Sequence, residues 1–170
     1  MSVCKILQAD SFGVFVLKLV GEVRLNFCST IEASIESIVS DPNFESLVVD
    51  LSETEYIDST TLGLLAKLAI KAKVKSHFLP SIISTNPDIT RILLVMGFDS
   101  IYLIVKEPAE NCEQLKELAP KTINESEVRL NVLNAHKVLM DMNEHNRDQF
   151  KDLVNALEVD MRDSVSSQAS

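Results

Sequence analysis

The sequence predicts an α/β fold in which helices cover a mixed, largely parallel sheet. Short segments rich in Val, Leu and Ile alternate with segments whose apolar residues recur at helical spacing. Turn and capping residues separate these segments from one another. The 170 residues, of which 46% are hydrophobic and 24% charged, are enough for one ordinary core and an appendage, since domains usually hold about 100 to 150 residues.

Five short segments have strand character, because each is rich in branched apolar residues and is bounded by turn residues. They span residues 3–9, 14–20, 46–51, 77–84 and 101–105. Asp10, Ser11 and Gly13 predict a hairpin turn between the first two strands. Helices separate the later strands, which gives the order ββαβαβαβ and requires crossover connections between parallel strands.

Two helices are predicted on either side of the third strand. The first begins at Ser29, which forms a capping-box pattern with Glu32, and it ends at Asp41 and Pro42. The second covers residues 59–75, with an apolar side wide enough to face a sheet and a stripe of lysines on the other side.

A third helix precedes the last strand. Asn86 is its expected N-cap, Pro87 occupies the first helical position, and Asp88 lies near the positive end of the helix. Gly97 is the expected residue just after its C-terminus. Residues 91–96 are therefore predicted to be helical.

After Pro108 the pattern is helical only, with a short segment at 112–118 and a longer helix opened by a cap at Asn124 and Glu127. One apolar stripe, interrupted at Asn146, runs down this longer helix. Its members are Ala135, Leu139, Met142, Phe150, Leu153 and Leu157. The stripe must be covered by its own domain, by the same segment of a second copy in a homodimer, or by a partner's groove, and we favour the first two.

Charge and composition divide the chain into three parts. Residues 1–106 form the expected domain with net charge −3, and residues 107–159 form a helical extension within a remainder of net charge −6. The polar, serine-rich residues 160–170 are expected to be a disordered tail.

The total net charge of −9 argues against nucleic acid as a partner, because binding to phosphate backbones depends on clustered Lys and Arg. No stretch of 18 residues is free of charge, and the acidic extension is unlike a basic interfacial helix, so no membrane interaction is expected. The N-terminus has no secretion-signal pattern, which leads to the expectation of a cytoplasmic protein.

No cofactor is expected. The four glycines are too scattered to cradle a phosphate. Neither the cysteines nor the histidines have metal-ligand spacing, so we expect buried thiols and histidines on helix or strand surfaces. These residues are Cys4, Cys28, Cys112, His77, His136 and His145.

The start of the second helix is the candidate functional site. Ser59, Thr60 and Thr61 place hydroxyl groups where backbone N–H groups are unpaired and the helix dipole is positive, a position that stabilises a phosphoryl group. The alternative interpretation is that Ser59 or Asp58 is only the N-cap of the helix.

Residues 57–63, Ile-Asp-Ser-Thr-Thr-Leu-Gly, resemble the motif of STAS domains of the bacterial anti-sigma factor antagonist type. The resemblance continues through Gly-Glu-Val at 21–23 and Ile-Leu-Leu-Val-Met-Gly-Phe at 92–98, and it covers residues 3–106. It implies a STAS-type sheet covered by helices. The sequence departs from the family pattern at Thr61, where glycine is usual, and at Arg24, where an acidic residue often stands.

The resemblance implies a phosphorylation switch at Ser59, with Thr60 as the second choice. It also implies a partner-binding surface formed by Glu22, Arg24, Asp58, Ser59, Thr60, Thr61 and Gly63. The implied partners are an anti-sigma factor or serine kinase, which binds the unphosphorylated chain and releases the phosphorylated one, and a PP2C-type phosphatase that removes the phosphate.

Two other functions are alternatives to this switch. The first is a STAS subunit or scaffold that docks to a transporter or signalling complex and is never phosphorylated. The second is an enzyme with Asp58 as base and Ser59 as nucleophile. We disfavour the enzyme, because a serine nucleophile needs a positioned base and oxyanion donors, and adjacent residues at a helix start do not face each other.

Overall fold

The chain begins with a hairpin of two antiparallel strands, β1 (Lys5–Ser11) and β2 (Val14–Val23). Phe12 and Gly13 form the turn with positive φ angles of 51° and 87°. A side chain at Gly13 would overlap the carbonyl oxygen of Asn43, so this position requires glycine. The predicted hairpin is therefore present.

The computed structural model describes residues 3–107, 114–121 and 124–168.

Three further strands extend the sheet in parallel from β2: β3 (Ser46–Ile57), β4 (Ser81–Ile83) and β5 (Leu103–Val105). A two-residue strand, β6 (Lys116–Glu117), pairs antiparallel with β1 at the opposite edge. The strand order is β5-β4-β3-β2-β1-β6. The mixed, largely parallel sheet confirms the predicted fold class, whereas β6 replaces part of the helix predicted at 112–118, of which residues 112–113 lie outside the described residues.

Strand β3 is longer than predicted. Residues 52–57, which the sequence predicts to be a loop, pair with the end of β2. The register places Glu22 opposite Tyr56 and Val23 opposite Ile57. Register shifts interrupt this pairing between Lys18 and Glu22. The long pairing brings the ends of both strands to the start of the next helix.

Helix α1 (Cys28–Ser40) begins one residue before the expected cap. Ser29 is inside the first turn, and its buried Oγ atom has no hydrogen-bond partner, so the predicted capping box is wrong. Glu32 instead forms an ion pair with Lys67 of the next helix. This tertiary pairing uses the side chain that the capping box needed.

Helix α2 (Ser59–Ser76) and helix α3 (Pro87–Val95) lie where the sequence predicts them. The Asn86 side chain accepts from the Asp88 N–H (2.9 Å), and Gly97 has the expected positive φ of 83°. His77, predicted to begin a strand, is the left-handed C-cap of α2.

The lysine stripe of α2 faces α1. Lys71 Nζ lies 3.1 Å from Glu36 Oε1, and Lys75 donates to the carbonyl oxygen of Asp41 at 2.7 Å. These contacts align α1 and α2 side by side.

The core contains apolar side chains from the sheet and its helices, with Leu17, Leu19, Ile31, Ile35, Leu51 and Leu65 among the completely buried ones.

The C-terminal extension forms two helices, α4 (Glu125–Met142) and α5 (Glu144–Gln168), and α4 packs against α1 and α2. The Asn124 side chain caps α4 by accepting from the Ser126 N–H. Asn143 is extended and ends α4, which divides the single helix that the sequence predicted.

The break at Asn143 changes the helical phase, so part of the predicted apolar stripe is wrong. Leu139 and Phe150 are buried as expected, but Leu153 is exposed and its neighbour Val154 is buried instead. Asn146 is completely buried and donates to the carbonyl oxygen of Met96 at 2.8 Å. The buried face packs on the chain's own domain, the first of the destinations expected for it.

Residues 160–168, expected to be a disordered tail, continue α5 as a regular and mostly exposed helix. Residues 169–170 lie outside the described residues. Across the described ranges, no helix is long and apolar enough to cross a membrane.

The cysteine and histidine expectations have mixed outcomes. Cys28 is buried as expected and Cys4 is half-buried, while Cys112 lies outside the described residues. His77 and His145 are exposed, but the surface position expected for His136 is wrong, because its side chain is buried against α2 and α5.

Candidate functional site

Asp58 is the N-cap of α2. Its Oδ1 atom accepts a hydrogen bond from the Thr61 N–H (2.9 Å), and its extended backbone (φ −88°, ψ 169°) is typical of this position. Ser59 is therefore the first helical residue rather than the cap. Its hydroxyl group does not cap the helix, and it lies at the positive end of an 18-residue helix.

The backbone places this helix start beside the end of β2. The Asp58 N–H donates to the carbonyl oxygen of Val23 (3.2 Å), directly after the last paired residues of β2 and β3. Glu22 and Arg24, on either side of Val23, are exposed and interact at 3.5 Å. Two exposed members of the predicted surface, at the end of β2, thus lie beside the partly exposed Asp58 and Ser59 at the helix start.

Tyr56 belongs to the same surface, although the sequence did not identify it. The guanidinium carbon of Arg24 lies 4.2 Å from the centroid of the Tyr56 ring, a cation–π arrangement. The ring is half-exposed on β3, opposite Glu22. Arg24, which departs from the family pattern, is therefore positioned by the Tyr56 ring.

The remaining predicted site residues are buried within the chain. Thr60 is only 4% exposed, Thr61 is completely buried, and the Thr61 Oγ1 atom has no hydrogen-bond partner. Gly63 is buried under α4. In this conformation Ser59 and Asp58, which are partly exposed, are the residues at the start of α2 that a partner can reach.

Ser59 is hydrogen-bonded to His136, a residue that no sequence pattern links to it. Its Oγ atom lies 2.8 Å from Nε2 of His136 on α4, and His136 Nδ1 lies 2.6 Å from the carbonyl oxygen of Val132. Because a carbonyl only accepts, Nδ1 carries a proton and donates. In the neutral ring, Nε2 then accepts from the Ser59 hydroxyl.

The imidazole ring of His136 is enclosed as well as hydrogen-bonded. It is 2% exposed, and the Phe150 ring of α5 meets it edge-on with centroids 5.1 Å apart. Ser59, α4 and α5 thus hold the ring from three directions. The only sequence signal for this position is its place beside Ala135 and Leu139 on the apolar stripe.

The arrangement does not form the acid–base pair considered from the sequence. Asp58 faces the Thr61 amide rather than Ser59, and the side chain that contacts the Ser59 hydroxyl is His136. The Thr61 N–H, a potential oxyanion donor, is occupied by Asp58. Burial raises the pKa of the nearby Cys28 thiol, an effect that the hydrogen bond from Asn131 opposes, so burial disfavours a thiolate nucleophile here.

The chain belongs to the STAS domain family, because the family described as "Mlab, STAS domain" matches residues 7–106. This match includes β3, Asp58 and the start of α2, and it ends before the helical extension. Its range agrees with the resemblance carried by the motif at residues 57–63.

Similar proteins are antagonists of anti-sigma factors. The anti-sigma-F factor antagonist RsfB of Mycobacterium tuberculosis is 32% identical over 94 residues, which are 55% of this chain and 75% of RsfB. A crystal structure of an anti-sigma factor antagonist from Mycobacterium paratuberculosis has a TM-score of 0.55 at 25% identity and covers 62% of this chain and 87% of its own.

The fold is also that of the anti-sigma factor antagonist SpoIIAA in its unphosphorylated form. That structure has a TM-score of 0.51 at 14% identity, and the match covers 62% of this chain and 90% of SpoIIAA. At this identity the likeness concerns the fold alone.

Proposed function

We propose that this chain is an anti-sigma factor antagonist switched by phosphorylation at Ser59. The unphosphorylated chain binds an anti-sigma factor or serine-kinase switch protein through the surface around the start of α2, and the phosphorylated chain releases it. A PP2C-type phosphatase restores binding. This role requires binding and release but no catalysis by the chain itself.

The position of Ser59 carries this proposal. Ser59 is the first residue of α2, follows the N-cap Asp58, and is partly exposed. Thr60, the second choice, is buried and out of a kinase's reach in this conformation. The similarity to RsfB, named as an anti-sigma-F factor antagonist, supports the choice of partner class.

The surroundings of Ser59 indicate why a phosphate would weaken binding. A phosphoserine adds a charge of about −1.5 to −2 at neutral pH. Two acidic side chains, Glu22 and Asp58, already belong to this surface, and the Arg24 guanidinium is engaged by Glu22 and Tyr56. A partner that packs against this surface would meet additional negative charge and bulk, and both oppose binding.

The modification site can be tested with purified candidate serine kinases of the anti-sigma factor class. After incubation with ATP, peptide mass spectrometry should locate phosphate on Ser59. Phosphate on Thr60 or on the serines of residues 164–170 would contradict the proposed site. A PP2C-type phosphatase should remove the label.

Binding is tested by calorimetry with the kinase that phosphorylates the chain. The Ser59→Ala variant should bind, and Ser59→Asp should bind more weakly. Ser126→Asp, which adds the same charge at an exposed position on α4, is the matched control and should bind like the unmodified chain. Equal affinities for the two Ser59 variants would contradict the switch.

The hydrogen bond from Ser59 to buried His136 favours a second candidate function. A serine held in this way suits a docking surface that is never phosphorylated, as in a STAS subunit or scaffold of a transporter or signalling complex. A stable complex with a transporter ATPase that forms without ATP, and is unaffected by Ser59→Asp, would favour this function.

A further inference from the structure

Helix α4 lies directly on the part of α2 that carries the proposed phosphorylation site. The family match ends at residue 106, so α4 belongs to the part of the chain that the STAS domain does not include. Two contacts fix its position over the start of α2, one through a side chain and one through the backbone.

The side-chain contact joins Ser59 and His136 across 2.8 Å. In the neutral ring, Nε2 has a lone pair toward Ser59, because Nδ1 uses its proton on the carbonyl oxygen of Val132. An unmodified serine donates its hydroxyl proton to this lone pair. A phosphoserine has acceptor oxygens in that place, and two acceptors repel each other.

The backbone contact joins Gly63 of α2 and Ala135 of α4. A Cβ atom built on Gly63 would overlap the carbonyl oxygen and carbonyl carbon of Ala135, so the two helices approach each other with no intervening side chain. Because the two helices are this close, even a small outward shift of α4 would break their packing contact.

The position of His136 also prevents a local adjustment. A phosphoryl group on Ser59 would put a phosphorus atom and its oxygens where 2.8 Å now separates Oγ from Nε2. The hydrogen bond to the Val132 carbonyl oxygen and the edge-on contact with Phe150 both oppose rotation of the ring. With Ser59 in the rotamer that faces His136, room for the phosphate therefore requires movement of α4 itself.

We propose that docking of α4 on α2 and phosphorylation of Ser59 exclude each other, so that α4 is a lid held by the unmodified serine and opened by phosphoserine. The proposal rests on Ser59 being the phosphorylation site of the proposed function. Because coupling between two events is reciprocal, the docked lid also opposes modification of Ser59, and release of α4 favours it.

The experiment uses the full chain with phosphoserine introduced at position 59 during translation, so it needs no kinase and no partner. Amide hydrogen exchange is measured along the whole chain. We expect the α4 amides between Val132 and Leu139 to lose protection by at least about tenfold relative to the unmodified chain. The amides of β2 and β3 should keep theirs.

Two comparison proteins make the result specific. Phosphoserine at Ser126 puts the same group on the exposed first turn of α4 and should leave the exchange of the other α4 amides unchanged. Gly63→Ala, without any phosphate, should raise α4 exchange in the same way as phosphoserine at 59, because the added Cβ meets the Ala135 backbone.

Unchanged α4 protection with phosphoserine at 59 would overturn the proposal, since the lid would then accommodate the phosphate. Loss of protection throughout the sheet would also overturn it, because the lid would not open as a separate unit. These outcomes are independent of the proposed function, which fails instead if no kinase modifies Ser59 or if no anti-sigma factor distinguishes its variants.

Discussion

The phenol hydroxyl of Tyr102 donates a hydrogen bond to the carbonyl oxygen of Leu65, 2.6 Å away. This bond joins the segment before β5 to the middle of α2, across the buried core. Tyr102→Phe keeps the ring and removes the bond, so we expect the free energy of unfolding to fall by about 0.5 to 1.5 kcal/mol in urea titrations. An unchanged urea midpoint would show that the bond contributes nothing net.

Leu65 itself tests the packing of α2 on the sheet. Its side chain is completely buried, so Leu65→Ala should lower the free energy of unfolding by about 2 to 5 kcal/mol in urea titrations. Val74 lies on the same helix but is 74% exposed, and Val74→Ala should change stability by less than about 0.5 kcal/mol. Similar losses for both variants would contradict the assigned helix face.

Asp58→Ala tests the N-cap of α2. Loss of the hydrogen bond to the Thr61 N–H should cost about 0.5 to 2 kcal/mol of stability in urea titrations. Asp58→Asn keeps an acceptor oxygen in the same place and should lose less. If both variants lose equal stability, the capping bond is not the cause.

Ser59→Ala leaves Nε2 of a buried imidazole without its hydrogen-bond donor, and we expect a loss of about 1 to 3 kcal/mol by urea titration. His136→Phe removes the other partner. The double variant should lose less than the sum of the two single variants, because no unpaired polar atom remains. Strict additivity would indicate that the two side chains do not interact.

Burial raises the pKa of the Cys4 thiol from 9.0 to about 11. The unfolded chain therefore loses this proton at lower pH than the folded chain does. The contribution of the protonated Cys4 thiol to the free energy of unfolding is therefore fully present below pH 9.0 and is lost as the pH rises toward about 11. Urea titrations across this window should show a smaller decline for Cys4→Ala than for the unmodified chain, and parallel declines would contradict the assigned cause.

The sequence predicts the parts of the fold that short-range chemistry determines. Asn86, Pro87 and Gly97 bound α3 as expected, since caps and positive φ angles depend on neighbouring residues. The start of α2 was predicted for the same reason. The polar residues 52–57 gave no strand pattern, and their pairing with β2 comes from a strand distant in the sequence.

The candidate site was predictable in its position and not in its contacts. The motif located Ser59 and Asp58, but the hydrogen bond to His136 spans 77 residues and has no periodic signal. The predicted stripe is partly wrong after Asn143, where an extended residue separates two helices and changes their phase. Ser29 is not a cap because α1 begins one residue earlier, at Cys28, and Glu32 pairs with Lys67 in the folded chain.

The small strand β6 affects how quickly a released α4 returns to its place on α2. Leu118 donates to the carbonyl oxygen of Ile6 (2.8 Å), and the Lys121 N–H donates to Thr30 Oγ1 (3.1 Å), so the segment before α4 is tied to the sheet and to α1. A released α4 would stay near its site at an effective concentration on the order of millimolar. Its return after dephosphorylation would be a first-order step, with a rate independent of how many copies of the protein are present.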